Sequence, residues 1–244
     1  MTPAEVIALL KDSPEKCLRK CLIAIDGGSV RNSDRTGYAL PPANGQAALA
    51  TFKVTVKTGG NNVVRGFTTG LRGKCGVEKN RDYVKIEKLS GPAKLLSKLE
   101  SDEVNAYHIP MVQTSHVAVK SSHYTLPTTI MGTLMFTTQL SGCSFGIGSN
   151  SIGATLVSHI QPNENLGGMD DVALRQDDVA QTIAKGFHTM SERIGLEHGY
   201  SQYATVIGQQ AYRKWKFYVQ SAEKRSIGRD TTNIITGVQV VPAW

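Results

Sequence analysis

The sequence predicts an α/β (α+β) protein whose core is a mainly antiparallel β-sandwich flanked by helices. Three observations lead to this prediction. Strand-like runs outnumber helix-like runs along the 244 residues. Most of these runs are joined by turns too short for the crossover that parallel neighbours require. Many runs also alternate polar with apolar residues, as strands with one buried face do.

The first element has the pattern of a short helix over about residues 3–11. Thr2 stands at the N-cap position, Pro3 at the first helical position, and Glu5 completes a capping box. This start lacks the basic and apolar regions of a secretory signal. We therefore expect no classical signal peptide, so that secretion of this protein would need a signal-independent route.

The first half of the chain continues with strands. Residues 18–25 read as a strand, and residues 26–48 form a long loop rich in Gly, Pro, Ser and Asn. Residues 50–57 alternate apolar and polar side chains without a fault, which indicates a half-buried strand. Further strands are predicted at four runs: 63–67, 82–89, 104–112 and 115–120.

Two helices are predicted among these strands. A short amphipathic helix follows Gly91-Pro92, and its buried side would carry Leu95, Leu96 and Leu99. Residues 170–198 form the one long helical region, which Gly186 or Gly195 could break. A β-rich tail completes the chain, with strands at 203–207, 214–219 and 234–241. No linker divides these elements, so residues 1–244 are expected to form a single domain.

Composition and charge argue against a nucleic-acid-binding protein and a membrane-spanning protein. The chain carries 27 basic and 20 acidic residues, a net charge of +7, but the charges are scattered and form no basic run. This favours a solvated basic surface and no direct binding of nucleic acid. No stretch approaches the roughly 20 apolar residues of a membrane-spanning helix. We expect a monomer with no membrane span.

Cysteine and histidine spacing indicates neither a disulfide framework nor a metal site. Cys17 and Cys21 form a C-x-x-x-C pair without a second pair at zinc-like spacing. His108, His116 and His123 recur irregularly without interleaved acidic residues. We therefore expect no metal and no cofactor, and cysteine usage that suits a reducing cytosol.

The candidate chemistry lies between residues 135 and 159. Residues 128–140 would enter a β-hairpin, 148–153 would turn the chain, and 154–160 would return. A turn centred on Ser151 places Cys143 directly opposite His159, and opposed residues share a face with Cβ atoms about 5 Å apart. An imidazole beside a thiol favours the nucleophilic thiolate. The alternative is a small buried cysteine and an ordinary histidine.

The sequence around this cysteine resembles the Leu-Ser-Gly-Cys motif of bacterial glutamine-deamidating toxins. Residues 136–143 read Phe-Thr-Thr-Gln-Leu-Ser-Gly-Cys. The superfamily includes the catalytic domains of the cytotoxic necrotizing factors and the Burkholderia lethal factor. The resemblance covers about thirty residues. It implies that Cys143 is the nucleophile, His159 its base and Thr137 the third member of a triad. It also implies a β-sandwich flanked by helices.

The residues before the cysteine are expected to support the reaction. Leu140, Ser141 and Gly142 form the motif, and a bent backbone at Gly142 could aim the Cys143 N–H at a developing oxyanion. Thr137 raises a geometric problem, because six residues of straight strand span roughly 20 Å. Either Ser141-Gly142 turns the chain sharply, or the role of this threonine is structural.

The resulting hypothesis is a toxin or effector that deamidates a glutamine side chain of a host protein. By the resemblance, the substrate would be a Rho-family GTPase or a DEAD-box translation-initiation helicase. A transglutaminase or a thiol protease would use the same dyad. A non-enzymatic β-sandwich binding module, with a basic surface for an acidic partner, is the alternative from another class.

Overall fold

The computed structural model describes most of the chain. The described residues are 1–26, 45–57, 63–65, 82–113, 123–128, 133–162, 172–196, 199–227 and 230–241. The predicted loop at 26–48 and the predicted strand at 115–120 therefore lie largely or wholly outside them. His116 and Cys75 also lie outside the described residues.

The described part of the chain is mostly β, with three α-helices, α1 (Pro3–Asp12), α2 (Pro14–Lys20) and α3 (Val172–Gly186), and a short 3-10 turn at Leu96–Lys98. The strands, in chain order, are β1 (Cys21–Asp26), β2 (Ala48–Lys57), β3 (Val63–Arg65), β4 (Asp82–Lys88), β5 (Glu103–Ile109), β6 (Val112–Gln113), β7 (Tyr124–Thr125), β8 (Leu134–Thr137), β9 (Ser144–Ser149), β10 (Thr155–Gln161), β11 (Thr189–Leu196), β12 (Gly199–Tyr200), β13 (Tyr203–Ala211), β14 (Lys214–Ile227) and β15 (Asp230–Val241).

These strands form two sheets. The larger has the order β1-β4-β2-β5-β8-β13-β14-β15-β3, and the smaller has the order β12-β11-β9-β10-β6 with β7 also paired to β10. Both sheets are mixed. Parallel pairs such as β5 with β8 and β10 with β6 stand beside a majority of antiparallel pairs. The predicted β-rich core with few helices is confirmed. The prediction of a mainly antiparallel core did not include the parallel pairs.

One apolar cluster holds residues of both sheets. Phe145 and Ile147 of β9 share it with Met135 of β8 and with Trp215 and Phe217 of β14. The rings of Phe145 and Phe217 have centroids 6.2 Å apart. Burying several aromatic side chains in one cluster contributes strongly to stability, at roughly 25 cal/mol per Å² of apolar surface. The candidate site lies within this cluster.

Helices cover two further faces. The α1 helix starts with the predicted capping box, in which the Thr2 side chain and Glu5 bond each other's backbone N–H. It packs with α2 on a second cluster of the larger sheet that includes Phe52 and Phe136. On the smaller sheet, α3 contributes Val179 and Ile183 to a third cluster.

The predicted helix over 170–198 is wrong beyond residue 186. Residues 170–171 lie outside the described part, α3 ends at Gly186, and Thr189–Leu196 is a strand that pairs antiparallel with β9. A Cβ on Gly186 would stand 1.9 Å from Cε1 of His123. Only glycine therefore fits at the last position of α3, and three residues later the chain adds a strand to the smaller sheet.

The predicted amphipathic helix after Gly91-Pro92 is also wrong. Leu95 and Leu96 are 67% and 76% exposed, beside a 3-10 turn of three residues. Polar bonds hold this segment against the sheet. The Lys94 amide donates to Thr51 Oγ1 at 2.8 Å, and the Lys94 ammonium pairs with Glu103 at 2.6 Å. Asn105 Nδ2 also donates to the Lys94 carbonyl oxygen at 2.7 Å, so both backbone groups of Lys94 bond to side chains of the sheet and not to a helix.

The predicted strand at 18–25 is shifted, because residues 14–20 form α2 and the strand covers Cys21–Asp26. The two thiols of the C-x-x-x-C pair meet where helix and strand join. Cys17 Sγ and Cys21 Sγ lie 3.7 Å apart, and both cysteines are buried and free. The C-terminal strands begin at or before the predicted positions and extend further, as β13, β14 and β15.

Candidate active site

The predicted hairpin exists, but its register differs from the prediction. β9 and β10 pair antiparallel with His159 opposite Phe145 and Ser144 opposite Ile160. Cys143 precedes β9, so it does not lie opposite His159. Of the strand predicted to enter the hairpin, at 128–140, residues 129–132 lie outside the described part, and Leu134–Thr137 belongs to the larger sheet as β8. The ladder ends at the pair of Ser144 and Ile160, and the structure records no contact between Cys143 and His159.

The turn explains the shifted register. Asn150 Oδ1 accepts hydrogen bonds from the amides of Ile152 and Ala154, at 3.1 and 2.9 Å. Gly153 adopts the left-handed region with φ +77. An asparagine that bonds the backbone ahead of it and a left-handed glycine together form a defined turn. Because Asn150 pairs with Ala154, the turn is centred on residue 152 and not on residue 151.

The motif residues carry the chain from one sheet to the other. Leu140 exchanges two backbone hydrogen bonds with Ala204 of β13, at 2.8 and 3.0 Å. Gly142 has φ +86, a conformation that glycine adopts readily and other residues rarely do. Leu140 is fully buried and Ser141 is exposed. β9 then begins in the smaller sheet, so the chain does turn sharply between Thr137 and Cys143.

This turn brings Thr137 to His159. Thr137 Oγ1 lies 2.7 Å from His159 Nδ1 and 2.7 Å from the carbonyl oxygen of Ile109. A carbonyl oxygen cannot donate, so the Thr137 hydroxyl donates its only hydrogen to the Ile109 carbonyl oxygen. In the bond between Thr137 Oγ1 and His159 Nδ1, the hydrogen must therefore come from Nδ1. The imidazole is thus the Nδ1–H tautomer, and Nε2 carries the lone pair.

The Nε2 atom has no hydrogen-bond partner among the residues that the structure describes. His159 is completely buried. Burial, and to a smaller degree the nearby His108, lower the pKa of His159 from its ordinary 6.5 to about 3. The imidazole is therefore neutral in the resting protein, and it can act as a base only where the reaction stabilises its protonated form.

Cys143 is 4% exposed and its thiol points to a thioether. Its Sγ lies 3.4 Å from Sδ of Met111 and makes no hydrogen bond to His159 in the described structure. Burial raises the pKa of Cys143 to about 11, against a smaller lowering effect of the Ser141 backbone. The expectation of a thiolate in the free protein is therefore wrong. The buried surroundings outweigh the imidazole, because no bond joins the two.

Tyr200 fixes the backbone of the cysteine. Its buried hydroxyl donates a 2.6 Å hydrogen bond to the carbonyl oxygen of Cys143. Tyr200 comes from β12, at the edge of the smaller sheet. The sequence analysis missed Tyr200, Met111 and Ile109. They lie 57, 32 and 34 residues from Cys143 in the chain, and no spacing rule relates them to it.

The described histidines outside this site, and the thiol pair, have other contacts. No three His, Cys, Asp or Glu side chains in the described ranges stand close enough to hold a metal ion. His108 packs edge-on against Phe52, and His123 Nε2 lies 3.0 Å from the carbonyl oxygen of Ile183.

Among the helices that the structure describes, none is long and apolar enough to cross a membrane. In comparison with known proteins, no family model matches the chain and no curated protein matches it. What remains to indicate a function is the geometry of Cys143, His159 and Thr137 and the motif around the cysteine.

Proposed function

We propose that the protein is a cysteine hydrolase that deamidates a glutamine side chain of a host protein. Cys143 is the nucleophile, His159 the general base and acid, and Thr137 the residue that positions the imidazole. The observation that carries the proposal is the 2.7 Å bond between Thr137 Oγ1 and His159 Nδ1. It leaves Nε2 as an acceptor without a partner in the described structure, on the strand that pairs with β9, which begins directly after Cys143.

The chemistry follows from these atoms. Nε2 takes the Sγ proton as sulfur attacks the carboxamide carbon, which gives a tetrahedral intermediate. Nε2 then gives this proton to the departing amide nitrogen, so ammonia leaves and a thioester forms. Water attacks the thioester while Nε2 accepts its proton, and the proton returns to sulfur as the C–S bond breaks. Glutamate and the free thiol result, and these steps need no metal or cofactor.

A resting thiol and a neutral imidazole are compatible with this route. The high pKa of Cys143, about 11, and the low pKa of His159, about 3, keep both groups uncharged in the free protein. Proton transfer then accompanies attack on a bound substrate. The chain turn at Gly142 leaves the Cys143 amide as a candidate oxyanion donor, because the peptide after it is fixed by Tyr200.

The substrate class comes from the motif. The Leu-Ser-Gly-Cys resemblance supports a protein glutamine, on a Rho-family GTPase or on a DEAD-box translation-initiation helicase. The scaffold would be the two-layer β-sandwich flanked by helices that the resemblance implies, acting as a single domain and as a monomer. The site of action would be the cytosol of a eukaryotic cell, reached by secretion or delivery.

The test uses a eukaryotic lysate in water enriched in ¹⁸O. Wild-type protein and Cys143→Ser are incubated with the lysate, and glutamine-to-glutamate conversions are mapped by mass spectrometry. The proposal predicts one or a few sites that carry ¹⁸O and appear with wild type alone. Conversion to amine adducts would indicate a transglutaminase, and peptide cleavage a protease. No difference between the two proteins would favour the binding module.

A further inference from the structure

The turn between β13 and β14 has an unusual backbone conformation. Its two residues, Tyr212 and Arg213, have φ values of +52° and +64°, in the left-handed region that favours glycine. Ala211 pairs with Lys214, so the register of the two strands leaves only these two residues for the turn. A two-residue turn between twisted strands requires positive φ at both positions, and Asn-Gly is the sequence that best tolerates it. The tyrosine and the arginine are therefore strained, and they are the only non-glycine residues with positive φ in the described part of the chain.

Packing inside the protein does not offset this strain. The Tyr212 side chain is 97% exposed, more than any other large apolar side chain among the described residues. Arg213 is exposed as well. Strained residues cluster at functional sites, where the strain is part of how the site works. Tyrosine and arginine are also among the residues that most often anchor a protein–protein interface. The turn therefore combines the backbone and the side chains of a contact site that projects from the protein.

The charge of this turn is positive. Residues 209–218 contain Arg213, Lys214 and Lys216 and neither Asp nor Glu. Arg213 and Lys214 are exposed, while the Lys216 ammonium lies 5.5 Å from the centroid of the Tyr218 ring. A guanidinium binds a carboxylate through two parallel hydrogen bonds, and a tyrosine ring fills an apolar pocket. A short turn holds its side chains in set directions, which a protein surface can match and a fluid lipid surface cannot. The complementary partner is therefore an acidic protein surface with a recess for an aromatic ring.

β13 runs from the candidate active site to this turn. Near its start lies Ala204, which exchanges two backbone hydrogen bonds with Leu140 of the motif. Tyr212 follows Ala204 by eight positions, a span of roughly 26 Å at about 3.3 Å per residue of strand. A short peptide bound at Cys143 would not extend this far. A folded protein substrate would contact both regions at once.

We propose that Tyr212 and Arg213 dock an acidic surface of the folded host protein whose glutamine is deamidated. The proposal rests on the function proposed above and adds where the substrate is held. Docking at the turn strengthens binding of the folded protein, so it lowers KM. The chemical step at Cys143 is unchanged, because the turn contacts no reacting atom.

The experiment measures KM and kcat for the host protein in which wild type places ¹⁸O in the lysate test above, used in purified form. The double variant Tyr212→Asn/Arg213→Gly installs the sequence that such a turn prefers, so the hairpin is retained. The proposal predicts that KM rises about tenfold or more, while kcat stays within about twofold of wild type. The double variant should also unfold at a higher urea concentration than wild type, because the strain is removed.

Two further comparisons separate docking from general surface effects. Ile152→Ser removes an 86% exposed apolar side chain from the turn between β9 and β10, and it should leave KM as in wild type. Arg213→Glu reverses the charge of the docking turn. It should raise KM more than Arg213→Gln does, because the partner surface is acidic.

Unchanged KM in the double variant overturns the proposal and leaves the deamidase standing. A lower kcat with unchanged KM also overturns it, because the turn would then act on the fold and not on binding. Sedimentation with phosphatidylserine vesicles tests the other partner class. Retention of wild type but not of the double variant, with unchanged KM, would assign the turn to a lipid surface and overturn the proposal. If wild type converts no glutamine in any host protein, the proposed function fails, and this docking role fails with it.

Discussion

The Thr137 hydroxyl lies 2.7 Å from Nδ1 of His159, and the two residues belong to different sheets. The bond crosses the interior of the protein, where both residues are completely buried. Because the hydroxyl hydrogen goes to the Ile109 carbonyl, the bond fixes which nitrogen of the ring is free. Thr137 therefore holds the His159 imidazole in place, a role that its β-propensity alone would not indicate.

Thr137→Ala should lower turnover without unfolding the protein. The substitution removes the acceptor of the Nδ1 hydrogen, so the ring loses both its orientation and its fixed tautomer. We expect a loss of about tenfold or more in kcat, which corresponds to roughly 1.4 kcal/mol. Thr137→Ser, which keeps the hydroxyl, is the matched control. Nitrogen NMR of the His159 ring should show Nδ1–H in wild type and a mixture in Thr137→Ala. Unchanged turnover in a folded Thr137→Ala protein would demote the residue to scaffold.

The contact between Thr137 and His159 also bears on how much of the site and fold the sequence alone can predict. The motif and the interval to His159 select Thr137, Cys143 and His159 as candidates, and of these the structure joins Thr137 to His159 by a hydrogen bond. The strands at 50–57 and 82–89 are also clear, because alternation shows directly which face is buried. The hairpin register is not, because the Asn150 side chain sets the turn centre by bonds that spacing does not reveal.

Other errors have related causes. Residues 187–196 carry apolar spacings near 3 and 4, yet Thr189–Leu196 forms β11 because β9 offers an edge to pair with. Leu95 and Leu96 have the spacing of a buried face, yet they are exposed, since polar bonds to Thr51 and Glu103 decide the local path. Met111 and Tyr200 reach Cys143 only through the tertiary fold. The partners of a site that come from distant strands cannot be found by spacing.

Acid should destabilise the protein through His159. Its pKa is about 3 in the fold and about 6.5 when unfolded, so below pH 6.5 the unfolded state binds a proton that the folded state does not. Stability is therefore full above pH 6.5 and falls toward pH 3, by up to about 1.4 kcal/mol per pH unit for this residue. His108, with a pKa of about 4, adds an effect of the same sign. Urea unfolding between pH 7 and pH 4.5 measures the slope.

His159→Gln should flatten that slope, since the variant has no buried imidazole to protonate at this position. His188 is exposed, so His188→Gln is the matched control and should keep the slope of wild type. Equal slopes in wild type and His159→Gln would contradict a buried neutral imidazole.

Tyr200→Phe should weaken both the fold and the reaction. The change removes the donor of a buried 2.6 Å bond to the Cys143 carbonyl, at a cost of roughly 1–3 kcal/mol. It should also lower kcat, because the cysteine backbone loses its anchor. Tyr124 is a matched control, since its buried hydroxyl has no partner in the described structure. Tyr124→Phe should be neutral or stabilising in thermal unfolding. A Tyr200→Phe protein as stable and active as Tyr124→Phe would show that the anchor has no role.

Gly146→Ala should push α3 away from the smaller sheet. A Cβ there would stand 2.6 Å from Cγ2 of Ile183 and 2.9 Å from Phe187 and from Ser158 Oγ. Overpacking of this kind costs roughly 1–3 kcal/mol. Gly237 has nothing within 4 Å of a Cβ, so Gly237→Ala is the control and should change stability little. The free energy of unfolding from urea titration checks both. A Gly146→Ala protein with the stability of Gly237→Ala would contradict the close packing of α3.

The most direct test of the central claim is expression of wild type and Cys143→Ser in cultured eukaryotic cells. Replacing sulfur by oxygen keeps nearly the same volume but removes the thiol, which is a far stronger nucleophile than a hydroxyl. The account predicts that wild type harms the cells and converts one or a few host-protein glutamines to glutamate. Cys143→Ser should fold, leave the cells unharmed and produce no conversion. Equal toxicity of the two proteins, or no toxicity and no new deamidation with either, would contradict it.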